Sequence, residues 1–261
     1  MKICVVHVNA EEVSAPYAAL IDRNFQRIKR PDTELSHRFV AHLRRATDTV
    51  FAYPTLLNKV DVVERLIEAD KDGFDAAMVA CSGDPGVAEA QTVTSIPIVG
   101  PMEAAMHYAC TFGHRFGIVT VADRSWSEYC DKLVSVAGLR DRLFGVASIA
   151  TPSREAFTRG FEAPGELAQE IKQTAERLVE QGANSVVIGS AGLSVIASTA
   201  GLVQTGSGAP VFDCLSIGLK FTELKADFMR RNAMPPVSPI GFSERMSDSD
   251  VARLRKLFEL S

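Results

Sequence analysis

The sequence predicts an α/β protein built as two similar parallel-sheet lobes, with a site in the cleft between them. Three observations support this. Strand-length apolar runs alternate with segments of helical period along the chain. Those runs are continuously apolar, as strands covered on both faces of a parallel sheet require. The second half of the chain also repeats landmarks of the first at a nearly constant spacing.

The elements follow in order. Ile3–Val8 is an opening strand; its apolar run stops at Asn9, too short for a secretory leader or for the roughly 18 residues of a membrane span. The basic stretch Arg27-Ile28-Lys29-Arg30 is followed by Asp32 and Glu34, which fits a solvated helix end and not a phosphate patch. His37 and His42 fall in a mixed charged region with no clear period. Val60–Ala69 has helical period, and Ala76–Ala80 is a strand delivering Cys81. Ile96–Val99 and Phe116–Val121 are strands around a helix at Met102–Thr111, which Gly113 ends. Val146–Ile149, Ser185–Ile188 and Pro210–Phe212 complete the strands, with helices at Ala168–Glu180 and Ser216–Lys225. Met234–Pro239 is an extended surface crossing. Ser247–Leu257 is a capped helix that packs back on the first lobe.

The repeat divides the chain. Glu64-Arg65-Leu66-Ile67-Glu68 returns as Glu176-Arg177-Leu178-Val179-Glu180, Pro97 as Pro210, and Ile3 as Ile118. Cys81 and Ser190 fall in the same slot, at the carboxyl end of a strand. Residues 1–100 with 216–261 form the first lobe and residues 101–215 the second. Open parallel sheets bind ligands beyond the carboxyl ends of their strands, so the symmetry puts Cys81 and Ser190 on opposite walls of one pocket.

Composition narrows the function. A net charge of −4 offers nothing to nucleic acid or to an anionic membrane, which leaves a small molecule as the expected partner. Five cysteines without a CxxC pair predict reduced thiols in a cytoplasmic protein. Cys4, Cys110, Cys130 and Cys214 lie in apolar or helical contexts and are read as small hydrophobes, and His7 as a core or rim residue. No His/Cys/Asp/Glu set has metal-ligand spacing, and neither a dinucleotide fingerprint nor a phosphate loop is present, so no metal and no cofactor are expected. Thr205-Gly206-Ser207-Gly208 is a surface turn.

Cys81 precedes Ser82-Gly83-Asp84-Pro85-Gly86. With Asp84 as N-cap and Pro85 as first helical residue, the thiol would face a helix N-terminus, which favours the thiolate. The same N–H groups, near Ser82, Gly83, Ala191 and Gly192, could hold a carboxylate or an enolate oxygen. The bland alternative is a buried cysteine at a tight turn. Gly189 and Gly192 flank Ser190 as though backbone must approach something closely. Ser190 lacks a Gly-x-Ser-x-Gly elbow and a nearby base, so it either caps a turn or contacts substrate.

These blocks, together with Pro97-Ile98-Val99-Gly100, Gly189-Ser190-Ala191-Gly192-Leu193 and Ala209-Pro210-Val211 with Asp213, resemble the aspartate/glutamate/hydantoin racemase superfamily over nearly the whole chain. Asp84-Pro85-Gly86 is similar to its hydantoin and allantoin racemase branch, whereas the amino-acid racemases have Cys-Asn-Thr there. The resemblance implies cofactor-free proton transfer at a carbon alpha to a carbonyl, between two cysteines on opposite faces of a small carboxylate or cyclic amide, in a homo-oligomer. By position, Cys81 is one acid/base, and Ser190 stands where the second cysteine belongs. Asn9 falls at the substrate loop, with Ala10-Glu11-Glu12 in place of Pro-Asn-Thr. Thr120 is the wall residue opposite Asn9 by repeat symmetry. Three explanations for Ser190 stay open: a substituted cysteine in a racemase, a natural one-thiol isomerase, decarboxylase or hydrolase, or a binding module without turnover.

Overall fold

The computed structural model describes residues 1–260. In the first half, β1 (Lys2–His7), α1 (Glu11–Gln26), β2 (Glu34–Phe39), α2 (Ala52–Lys71), β3 (Ala76–Val79), α3 (Val87–Gln91), β4 (Ile98–Val99) and α4 (Pro101–Ala109) follow one another. The second half continues with β5 (Phe116–Thr120), α5 (Arg124–Val136), β6 (Leu143–Ser148), α6 (Ser153–Glu162), α7 (Pro164–Gln181), β7 (Ser185–Ile188), α8 (Ala191–Thr199) and β8 (Val211–Asp213). The chain then returns through α9 (Cys214–Asn232) and ends in α10 (Asp248–Leu257).

Among the described residues the strands form two four-stranded sheets with the same internal order, β2-β1-β3-β4 and β6-β5-β7-β8. Every pairing within them is parallel. The central strands β3, β5 and β7 are buried along their whole length, which is why they read as unbroken apolar runs. The edge strand β2 carries no such signal. Its Glu-Leu-Ser-His-Arg-Phe is only partly buried, yet it pairs with β1 from Lys2↔Glu34 to His7↔Phe39. An edge strand has one free side, so polar residues survive there and the strand escapes a search for apolar runs.

One continuous apolar core serves both halves. Ile3, Met78 and Ile98 fill it beside the first sheet, and Phe116, Ile118 and Ile171 beside the second. Met102 and Met106 of α4 are equally buried, on a helix that packs against α9 and also against β7. Each such side chain contributes on the order of 1.5–3 kcal/mol by leaving water. Helix α10 begins with Ser247, whose hydroxyl accepts the Asp250 N–H, and it docks on the first half through an Arg255–Glu64 ion pair at 2.6 Å. Among the described residues no helix is long and apolar enough to cross a membrane.

The turn after β3 departs from expectation. Its helix begins at Val87, not at Pro85, and its N-cap is Gly86 with φ 76°. Asp84 is left-handed too, at φ 46°, and its carboxylate accepts the Met102 and Glu103 N–H groups at 3.0 and 2.8 Å. It therefore caps α4 and not the segment behind Cys81.

Candidate active site

Four strands end at one cavity of about 280 Å³. Val8 and Asn9 extend from β1, Ala80, Cys81 and Ser82 from β3, Val121 from β5, and Ser190, Ala191 and Gly192 from β7. The rest of the wall includes four aromatic side chains, Tyr17 of α1, Trp126 of α5, and Phe157 and Phe161 of α6, beside other residues of α1 and of the segment 46–50. Arg44 is the charged side chain of the lining, and it pairs with Glu12 at 2.7 Å near the surface.

Asn9, Cys81, Ser82, Ser190, Ala191 and Gly192 thus share one cavity, while Gly83 and Thr120 do not reach it. The Gly83 N–H points at the Cys81 sulfur from behind, at 3.4 Å, and a Cβ at this glycine would meet the Trp126 ring at 3.2 Å. Thr120 is fully buried beneath the floor and donates to the Gly189 carbonyl at 3.3 Å; Val121 takes its expected place on the wall. A strand's side chains alternate between faces, so a one-residue shift exchanges a wall residue for a core residue.

The setting of Cys81 differs from the one its sequence suggests. The helix that follows it in sequence offers no useful N-terminus, because α3 has five residues and starts six positions later. Burial pushes the thiol up to about 12; the Gly83 N–H pulls the other way but is outweighed, and the nearby Asp84 charge adds to the rise. Cys81 therefore rests as a neutral thiol. Ser190 occupies the better electrostatic position. It is the N-cap of α8, its hydroxyl accepting the Leu193 N–H at 3.4 Å, so it both caps a helix and lines the cavity.

The Gly189–Ser190 peptide is held unusually firmly. Its carbonyl accepts from Trp126 Nε1 at 2.8 Å, Thr120 Oγ1 at 3.3 Å, Ser82 Oγ at 3.4 Å and Cys130 Sγ at 3.5 Å. Both flanking glycines are held to their size by packing. A Cβ at Gly192 would fall 2.3 Å from the Phe157 ring, and one at Gly189 would fall 2.6 Å from Ile118. The Val8–Asn9 loop is fixed by Asn58, which donates to the Val8 carbonyl at 3.0 Å, and by the Ala10 N–H, which donates to Leu43 at 2.8 Å.

His7 is a core residue beside the site. Its Nε2 meets His37 Nδ1 at 2.8 Å, its ring stacks on Phe39, and burial lowers its pKa to about 3. Among the described residues no group of three or more His, Cys, Asp or Glu side chains could hold a metal ion. Sequence reasoning missed Tyr17, Trp126, Phe157 and Phe161. Phe157 and Phe161 stand four apart on α6, a spacing that marks one helix face, whereas Pro16 inside α1 obscured the helix that carries Tyr17.

The sequence profile of the Asp/Glu/Hydantoin racemase family matches residues 13–222. Hydantoin racemase of Pseudomonas sp. (strain NS671) is 30% identical over 182 residues, covering 69% of this chain and 70% of that protein. Allantoin racemase from Klebsiella pneumoniae superposes with a TM-score of 0.79 at 22% identity, covering 95% of this chain and 94% of that one. Allantoin racemase from Pseudomonas fluorescens does so at 0.74 and 23% identity, covering 94% and 97%. These superpositions establish a shared fold.

Proposed function

The chain belongs to the Asp/Glu/hydantoin racemase family, and on that premise we propose that it moves a proton on and off the carbon alpha to a carbonyl in a hydantoin-like cyclic amide. The observation that carries this reading is the convergence of Cys81 and Ser190, from equivalent strand ends of two sheets, on one cavity. In the forward step the Cys81 thiolate takes the proton from carbon. The C–H bond breaks, an S–H bond forms, and the electron pair moves onto the carbonyl oxygen as an enolate. Cys81 returns a proton to the same face, or the Ser190 hydroxyl delivers one to the other.

The two sides are not equivalent. A serine that gives up its proton becomes an alkoxide, a far worse outcome than a thiolate, and no base stands ready to prevent it. Exchange at the Cys81 face is therefore the fast process and inversion the slow one. The neutral resting state of Cys81 also favours a second reading, in which the thiol protonates an enolate formed by loss of CO2 from a substituted malonate. In that case the C–C bond to the departing carboxylate breaks, and its electron pair passes onto the remaining carbonyl as an enolate while CO2 leaves. The Cys81 S–H then gives its proton to the carbon and becomes a thiolate.

Incubation of 5-substituted hydantoins and substituted malonates with the enzyme in deuterium oxide separates these readings. Deuterium at the alpha carbon of the hydantoin, lost in Cys81→Ala with the fold intact, is the expected result. Exchange that survives Cys81→Ala removes the assignment, and CO2 release from the malonates alone selects the second reading.

A further inference from the structure

The Tyr17 hydroxyl is buried, and among the described residues nothing hydrogen-bonds to it. The residue lines the cavity. It shares the cavity wall with Cys81 and Ser190. The ring is satisfied without the oxygen: it packs on Phe161 at 5.4 Å between centroids and meets His7 edge-on at 6.4 Å. His7 Nδ1 likewise lacks a partner, so the two groups do not satisfy each other. A phenylalanine would keep all of this packing, and it would avoid the cost of a buried unpaired hydroxyl.

A buried hydroxyl without an internal partner, on a residue of the cavity wall, is a donor awaiting an acceptor on a ligand. We propose that Tyr17 donates a hydrogen bond to the carbonyl oxygen beside the reacting carbon of the substrate, and thereby selects substrates that carry an acceptor there. The assignment rests on the proton-transfer reading given above. The bond strengthens as charge builds on that oxygen in the enolate, so the hydroxyl favours the transition state over the bound ground state. Burial keeps the phenol protonated well into the alkaline range, so the donor persists wherever the enzyme works.

The experiment uses the full chain and two readouts. Trp126 is the single tryptophan and lines the cavity, so its fluorescence reports binding without turnover. The ligands are 5-benzylhydantoin and the corresponding imidazolidin-2-one, which lacks the carbonyl next to the reacting carbon. Tyr17→Phe is expected to lower kcat/KM for deuterium exchange by about 10- to 100-fold. It should also weaken hydantoin binding several-fold, leave imidazolidinone binding unchanged, and hold or raise Tm. Wild-type kcat/KM and affinity in Tyr17→Phe overturn the assignment. So does a fall in Tm that accompanies equal weakening of both ligands, since that is the mark of a structural role. A wild-type protein that neither binds nor exchanges the hydantoin overturns the functional reading, and the Tyr17 assignment with it.

Discussion

The Ser82 hydroxyl accepts the Ala191 backbone N–H at 3.1 Å, across the junction of the two halves. The same oxygen donates to the Gly189 carbonyl at 3.4 Å, so one side chain from the end of β3 grips the peptides on both sides of Ser190. The positions of the two catalytic candidates are therefore coupled: Ser82 follows Cys81 directly and holds Ser190 from across the cleft.

Truncation of that side chain leaves the Ala191 N–H without its partner and loosens the Gly189 carbonyl. Ser82→Ala should lose about 1–2 kcal/mol of stability in urea unfolding, the cost of stranding a donor that folding has removed from water. Deuterium exchange should slow as well, since Ser190 and Cys81 lose their common brace. Unchanged stability in Ser82→Ala would show that water replaces the hydroxyl at no cost.

On the proposed mechanism, Ser190→Cys should raise the rate of inversion towards that of exchange. A thiol at this position would sit at the N-terminus of α8, where the helix end favours the thiolate, in a better setting than Cys81 itself has. In the wild type, deuterium should enter the alpha carbon well ahead of loss of optical rotation. In Ser190→Cys the two rates should approach each other, as a competent acid/base then stands on each face. Parallel chiral chromatography and mass spectrometry measure both. Equal rates already present in the wild type would mean that Ser190 or a water molecule does the work assigned to a second thiol.

The weak acidity of the Cys81 thiol leads to a separate expectation. With its thiol pushed up to about 12, only about one molecule in 10⁵ carries the thiolate at pH 7, and that fraction grows tenfold per pH unit. The logarithm of kcat/KM for exchange should thus climb with a slope near one from pH 6 to 10 without levelling. Alkylation of Cys81 by iodoacetamide at pH 8, followed by peptide mapping, should run about three orders of magnitude slower than for a free thiol. A plateau of kcat/KM near pH 7, or alkylation at pH 8 as fast as that of a free thiol, would reveal a thiolate that the cavity stabilises after all.

How much of this was legible in the sequence depends on what kind of signal each feature leaves. The central strands β3, β5 and β7 and the shared slot of Cys81 and Ser190 were readable, because burial on both faces and an internal repeat both write themselves into composition. Strand β2 was not, since an edge strand tolerates Glu34, Ser36 and Arg38. The turn after Cys81 was misjudged for a local reason. Asp84-Pro85 is a good helix start, but the Asp84 carboxylate finds the Met102 and Glu103 N–H groups of α4, a partner distant in sequence. Thr120 was one residue out of phase. The aromatic wall of Tyr17, Trp126 and Phe161 belongs to helices whose facing is set only when both sheets are in place.

The last prediction concerns acid stability, where two buried groups oppose each other. Burial lowers His7 to about 3, below the ordinary value near 6.5. Between those limits the unfolded chain binds a proton that the native chain refuses, so this group's contribution to stability is complete above pH 6.5 and drains away as the pH falls. Asp84 runs the other way. Burial raises it to about 7, against the ordinary value of 3.8, despite the two N–H groups it accepts. Between 3.8 and 7 the native chain holds a proton that the unfolded chain releases, so this contribution is complete below pH 3.8 and is lost as the pH rises through 7. Each slope is about 1.4 kcal/mol per pH unit at most, with opposite sign, and the two windows overlap from about pH 4 to 6.5. Urea unfolding between pH 4 and 7 should therefore show Asp84→Asn losing stability relative to wild type as the medium is acidified. His7→Phe should gain in the same direction, and the double variant should again track the wild type. Parallel curves for both single variants would mean that neither group keeps its native protonation state across that range, and that the enclosure of His7 and Asp84 opens to water well before the protein unfolds.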